Sequence, residues 1–265
     1  MDWLTVIILG IVEGLTEFLP VSSTGHLILA TELLGFNAKD WEVFNIAIQP
    51  GAILAIVVLY WRTFRDVLVG LGRHEPRAVA FTRNLILAFI PAVILGFLLK
   101  KQLDALLENA VVVAWALIVG GVLILVIERL ARTRDTGGVA GVTSRQSLMI
   151  GLVQCFAMVP GVSRSGATIM GAMAFGVDRK TAAEFSFFLA LPTLTAATAL
   201  QFWQHRAELS THDLGAIAVG FTISFVVALA VVKAFLAIVT RHGFAPFAWY
   251  RIVAGVAALV WLHQA

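Results

Sequence analysis

Charge is scarce in this sequence. Asp, Glu, Lys and Arg make up 13% of its 265 residues, against 60% apolar ones, and the mean hydropathy is +0.92. A water-soluble domain of this length could not bury so much apolar surface, so the shortage points to an integral membrane protein. The net charge of +3 is small. Its bases sit in short stretches between apolar runs, where they set topology, and no nucleic-acid partner is expected. The single cysteine, Cys155, excludes an internal disulfide. It reads as a small apolar residue in a packed segment. The N-terminus lacks a basic leader and a small-residue cleavage site, and its apolar stretch runs straight into Glu13. It is therefore expected to be retained structure and not a signal peptide.

Six apolar runs approach the roughly 20 residues that a spanning helix needs. They cover 43–60, 84–99, 111–127, 182–202, 215–237 and 247–263. Two further regions, 3–35 and 147–177, are apolar but interrupted by Pro, Gly and Ser. They predict helix–break–helix hairpins that enter the membrane and return on the same side. Irregular backbone at that depth survives only where protein or a water-filled cavity satisfies it. The expected fold is an all-α integral membrane protein of six transmembrane helices plus two re-entrant hairpins.

Lys and Arg fix the expected orientation. Arg62, Arg65, Arg73, Arg77 and Arg83 lie in the loop 61–83, and Arg129, Arg132, Arg134 and Arg145 in the loop 128–146. Alternation adds Arg179, Lys180, Arg241 and Arg251 to the same side, which makes thirteen bases against Lys39, Lys100, Lys101 and Arg206 on the other. The richer side is cytoplasmic, so both termini face outward.

The sequence also repeats. Val21-Ser22-Ser23-Thr24-Gly25 returns as Val162-Ser163-Arg164-Ser165-Gly166 at an offset of 141, and the offset holds from Gly10/Gly151 to Phe44/Phe185. Pro50 and Pro192 also fall near matching points. Each half is one hairpin plus three spans, and an odd span count turns the second half upside down. The expectation is one membrane domain, 1–265, built from an inverted-topology repeat of 1–130 and 147–265. Matching breaks in the two halves point to a site where they meet.

Charged groups inside a membrane are expensive and are functional candidates by default. Glu13 and Glu17 share a helix face. Together they could hold Mg²⁺ or Ca²⁺, or one could serve as acid or base. Ser22, Ser23 and Thr24 precede a helical run. One hydroxyl suffices to cap it; three, with Gly25, suit a phosphate at a helix N-terminus. His26, in the first turn, could be base, acid or nucleophile. Arg164, between Ser163 and Ser165 and followed by Gly166 and Thr168, suits a phosphate or diphosphate. Gln49, Asn45, Glu184 and Ser186 either line the cavity or join neighbouring helices. Inverted repeats with broken helices also suit a transporter or lipid flippase without hydrolysis. The mixture of hydroxyls, His, paired acids and Arg favours an enzyme. A different lipid phosphatase class would need a Lys-rich motif ending in Arg-Pro, and the sequence has none.

The run from Glu13 to His26 (Glu-Gly-Leu-Thr-Glu-Phe-Leu-Pro-Val-Ser-Ser-Thr-Gly-His) and the run Pro160-Gly161-Val162-Ser163-Arg164-Ser165-Gly166 resemble the two signature motifs of the bacterial undecaprenyl-diphosphatase family, also called the bacitracin-resistance protein family. The resemblance extends over the whole chain in length, span count and motif order. It implies hydrolysis of undecaprenyl diphosphate to undecaprenyl phosphate and phosphate, recycling the lipid carrier of cell-wall synthesis. It implies a divalent cation, membrane lipid as surroundings, a bacterial inner-membrane location and a site opening to the periplasm. The family's glutamates fall on Glu13 and Glu17, its serines on Ser22 and Ser23, its histidine on His26, its arginine on Arg164 and its glutamine on Gln49. Pro50 departs from the usual leucine-like residue. A homodimer is left open.

Overall fold

The structure, a computed structural model, describes residues 2–37, 41–99, 110–204 and 214–264. Lys39, Lys100, Lys101 and Arg206, the expected outer bases, lie outside them. Eleven α-helices are described: α1 Trp3–Thr16, α2 Ser23–Leu33, α3 Glu42–Leu59, α4 Trp61–Gly72, α5 Pro76–Leu98, α6 Ala110–Leu130, α7 Ser144–Gln154, α8 Arg164–Ala174, α9 Arg179–Gln204, α10 Leu214–His242 and α11 Ala245–Gln264. Two 3₁₀ turns, Val139–Gly141 and Cys155–Met158, complete the described elements.

Six of the helices, α3, α5, α6, α9, α10 and α11, are long and apolar enough to cross a membrane, and they coincide with the six apolar runs. The protein is a multi-pass membrane protein by that measure. α1 is apolar but has 14 residues, too few to span. Large apolar side chains such as Phe97, Trp115, Leu130 and Val253 stand exposed on the outer faces, as lipid contact requires.

The two interrupted regions each form a helix, a break and a second helix: α1 and α2 around residues 17–22, α7 and α8 around residues 155–163. α2 begins at Ser23 and α8 at Arg164, which keeps the sequence offset. Packing is exchanged between the halves: α1 lies on α10, α7 on α5, and α9 on α3. Gly10 and Gly151, matching positions, allow two of these approaches. A Cβ on Gly10 would come 3.0 Å from the Gly220 carbonyl oxygen, and one on Gly151 would come 2.4 Å from that of Ala88. Small residues at such crossings let backbones close up where lipid offers no hydrophobic drive. A buried aromatic set, Phe18, Phe185, Phe187, Phe235 and Phe244, fills the centre. Phe18 meets Phe187 edge to face at 5.5 Å, which anchors the first break to α9.

The loop expected over 61–83 contains α4. Its Arg content suggested a topogenic loop, but Phe64, Val67 and Leu71 recur at helical spacing, and Phe64 packs on Phe188 at 5.4 Å.

Candidate active site

The two breaks have the same local construction. Ser22 and Ser163 both sit in the left-handed region, at φ 74° and 75°. That conformation costs a non-glycine residue on the order of 1–3 kcal/mol. Each serine then caps the helix that follows: Ser22 Oγ accepts from the Gly25 N–H (3.4 Å) and Ser163 Oγ from the Gly166 N–H (3.0 Å). A cap of this kind returns about 1 kcal/mol. The two breaks are also joined directly, since the Ser165 hydroxyl donates to the Leu19 carbonyl at 2.6 Å.

Arg251 holds this junction together. It is fully buried near the start of α11, and its five N–H groups meet five backbone carbonyls. Nη1 donates to Pro20 (2.9 Å) and Val162 (3.0 Å), Nη2 to Gly161 (2.9 Å) and Ala116 (2.9 Å), and Nε to Leu117 (3.3 Å). One side chain thus ties the first break, the second break and α6. Counting it among the cytoplasmic bases was mistaken, because the guanidinium lies inside the protein and has no free donor. The signal available in the sequence was a cation at the edge of an apolar span.

The cavity at the junction has a volume of about 430 Å³ and is lined by Glu17, Ser22, Ser23, Thr24, Gln49, Ser163 and Arg164 at its polar end. Residues from both halves meet there. The Ser23 hydroxyl donates to Glu17 Oε2, and Glu17 Oε1 accepts from Arg164 Nη2 at 3.2 Å. Arg164 Nη1 donates to the Ser186 carbonyl (3.0 Å), while its Nε is buried without a partner. Thr168 braces the base of α8, donating to the Arg164 carbonyl at 2.9 Å and lying 2.7 Å from Ser186 Oγ. A hydroxyl, a carboxylate and a guanidinium therefore form one chain across the two breaks.

Not every expected residue reaches the cavity. His26 faces α11. Its Nδ1 can only donate to the Ser22 carbonyl (2.7 Å), so Nε2 is left to accept from the Tyr250 hydroxyl (2.7 Å), and the rings stack at 5.5 Å. Gly25, Ser165, Gly166 and Thr168 build the breaks and do not line the cavity. Gln49 lines it, 3.4 Å from Thr198 Oγ1. Ser186 joins helices, and Asn45 Oδ1 has no partner.

Glu13, one turn below Glu17 on α1, is fully buried, and neither of its carboxylate oxygens has a hydrogen-bond partner. A buried carboxylate so placed calls for a cation or a proton. Among the described residues no three His, Cys, Asp or Glu side chains gather as a metal cage. One or two carboxylates supplemented by substrate phosphate oxygens are nevertheless a usual donor set for Mg²⁺; Glu17 lines the cavity where such a site could form, while Glu13 lies one turn back, buried and outside the lining.

The fold and the site together define a multi-pass helical membrane protein with a buried acid, hydroxyl and guanidinium cluster between two broken helix pairs. Residues 6–257 match the family model described as bacitracin resistance protein BacA, and the chain belongs to that family. It is 60% identical over 262 residues to the undecaprenyl-diphosphatase of Novosphingobium aromaticivorans, with 97% of each chain covered. It is 56% identical over 262 residues to that of Rhizorhabdus wittichii, covering 99% of this chain and 98% of the relative. With that of Sphingopyxis alaskensis it is 58% identical over 261 residues, covering 98% of each.

Proposed function

We propose that this protein is an undecaprenyl-diphosphatase that hydrolyses undecaprenyl diphosphate to undecaprenyl phosphate and inorganic phosphate, with Glu13, Glu17, Ser23 and Arg164 as its catalytic set and His26 as a positioning residue. The observation that carries the assignment of roles is the Ser23–Glu17–Arg164 chain across the two breaks. Relatives named for this reaction at 56–60% identity over nearly the whole chain support the activity. A carrier without chemistry would leave the hydroxyl–carboxylate pair without a use.

Arg164 binds the terminal phosphoryl group and offsets its charge, the main task in phosphoryl transfer. Ser22, Thr24, Ser163 and Gln49 line the same pocket. Ser23 Oγ attacks the terminal phosphorus while its proton passes to Glu17. The bridging P–O bond breaks and undecaprenyl phosphate leaves. Glu17 has by then given the first proton to the leaving side; water attacks the phosphoserine phosphorus and yields a proton to Glu17, which passes it to Ser23 Oγ as the Oγ–P bond breaks and phosphate departs. Glu13 and Glu17 would hold Mg²⁺ or Ca²⁺, which when bound would neutralise diphosphate charge. His26, engaged by the Ser22 carbonyl and Tyr250, acts by fixing the first break.

The chain is read as an inverted-topology repeat of 1–130 and 147–265 with two re-entrant hairpins. The shared offset of α2 and α8, the matching conformations of Ser22 and Ser163, and the exchanged packing of α1 and α7 support this reading. The location is the bacterial inner membrane, with both termini and the site facing the periplasm. The Arg-rich segments 61–83 and 128–146 support that orientation.

The test is trapping. Substrate labelled at the terminal phosphate, quenched during turnover, should leave label on wild-type protein and none on Ser23→Ala. Equal labelling of both would remove Ser23 as nucleophile, and turnover with no label on either would favour direct attack by water.

A further inference from the structure

Positions 13 and 154 correspond at the repeat offset, and both are buried with unsatisfied polar atoms of opposite sense. Glu13 offers two acceptors without a donor. Gln154, the last residue of α7, is 2% exposed and offers an N–H donor without an acceptor. Its Oε1 lies 3.5 Å from Thr193 Oγ1, whose own proton goes to the Leu189 carbonyl at 2.8 Å. Whichever way round the amide is placed, at least one N–H is left over. An uncompensated buried amide costs free energy, so such a donor marks a missing acceptor.

Gln154 and Thr193 both line the cavity that holds Arg164, whose Nε is the other buried donor there without a partner. Their order can be read along α9. Arg164 rests on the Ser186 carbonyl, and Gln154 lies beside Thr193, seven residues further along that helix. Beyond Gln154 the wall turns apolar, with Phe89, Val93, Phe97, Leu194 and Leu200.

Resting on the hydrolase reading above, we infer that Gln154 forms a second phosphoryl subsite, which grips the lipid-linked phosphate while Arg164 holds the terminal one. The order along the cavity is then terminal phosphate, lipid-linked phosphate, polyprenyl tail. Gln154 is the residue that distinguishes a polyprenyl phosphate from inorganic phosphate.

The experiment measures equilibrium binding of undecaprenyl phosphate, and inhibition by inorganic phosphate, for purified wild type, Gln154→Met and Gln154→Glu in detergent, alongside phosphate release. Methionine keeps the shape and removes the donor. It should weaken undecaprenyl phosphate binding at least about tenfold, the worth of a hydrogen bond to a charged group. KM for the diphosphate should rise with it, and inhibition by inorganic phosphate should stay as in wild type. Glutamate, which sets like charge against the phosphate, should weaken lipid binding further. Unchanged lipid binding in Gln154→Met overturns the inference, and so does a parallel loss of inorganic phosphate inhibition, which would mean that the whole site had collapsed. Wild type that binds undecaprenyl phosphate but releases no phosphate from the diphosphate would sink the hydrolase reading, while the ratio of wild-type to Gln154→Met binding would still decide the subsite.

Discussion

Replacing Arg251 by Lys should loosen the site without removing any side chain that lines the cavity. The guanidinium uses all five of its N–H groups on carbonyls of Pro20, Val162, Gly161, Ala116 and Leu117. An ammonium has three donors, so at least two of these carbonyls lose their partner. Hydrogen bonds inside membrane proteins contribute about 0.6 kcal/mol on average and up to about 1.7. Two lost bonds therefore cost roughly 1–3 kcal/mol, and Arg251→Met, which loses five, roughly 3–8 kcal/mol. For a chain of this size the Lys variant should lower the melting midpoint in detergent by roughly 2–12 °C. The kinetic effect follows from geometry. Ser23 and Arg164 open the helices directly after the two tied breaks, and a misplacement of about 1 Å at a reacting group can cost about 100-fold. Folded Arg251→Lys should show kcat reduced about 10- to 100-fold, with KM changed far less. Arg251→Met with wild-type melting and wild-type kcat would refute the reasoning, because five buried carbonyls would then have lost their donors at no cost.

Other consequences are open to direct measurement. Gly120→Ala places a Cβ 2.1 Å from Arg251 Nη2, so it should reproduce the kinetic defect of Arg251→Lys; wild-type kcat would show that the guanidinium can move freely. Glu17→Gln removes the proposed base opposite Ser23 and one carboxylate of the proposed cation site, and should lower kcat at least about 100-fold, the low end of general base catalysis; activity within a few-fold of wild type would take Glu17 out of the mechanism. Burial alone would raise the Asp178 carboxyl, but hydrogen bonds from Thr181 and Thr136 outweigh it and hold the group below the usual carboxylate range. Because the folded value lies below the unfolded one, this stabilisation is complete above about pH 4 and is lost as pH falls through the folded value. Asp178→Asn should flatten the acid side of a melting-midpoint profile; an unchanged acid slope would contradict that.

Much of the site was legible because it is written in types of residue that membranes rarely tolerate. Glu13, Glu17 and Arg164 stand out in apolar segments, and the 141-residue offset shows that acid and cation belong to different halves. The structure joins them at Glu17, which stands between Ser23 and Arg164. The six spans were equally plain, since nothing but length and hydropathy defines them. What stayed hidden depends on partners that every residue carries. The five acceptors of Arg251 are backbone carbonyls, so no motif marks them, and its place near a span end made it look like an interface base. His26 was read as part of the chemistry because it stands beside hydroxyls in the chain. On α2 its ring points to Tyr250, 224 residues away. α4 was masked by its arginines. Gln154 gave no signal until its amide was found buried without an acceptor.

The central claim is that a hydrolytic site is assembled from the two breaks. The direct measurement is phosphate release from undecaprenyl diphosphate by purified protein in detergent, with and without EDTA, for wild type and Arg164→Ala. Release that EDTA stops, and that Arg164→Ala loses while remaining folded, is the predicted result. Release by Arg164→Ala at the wild-type rate would contradict a site shared between the halves.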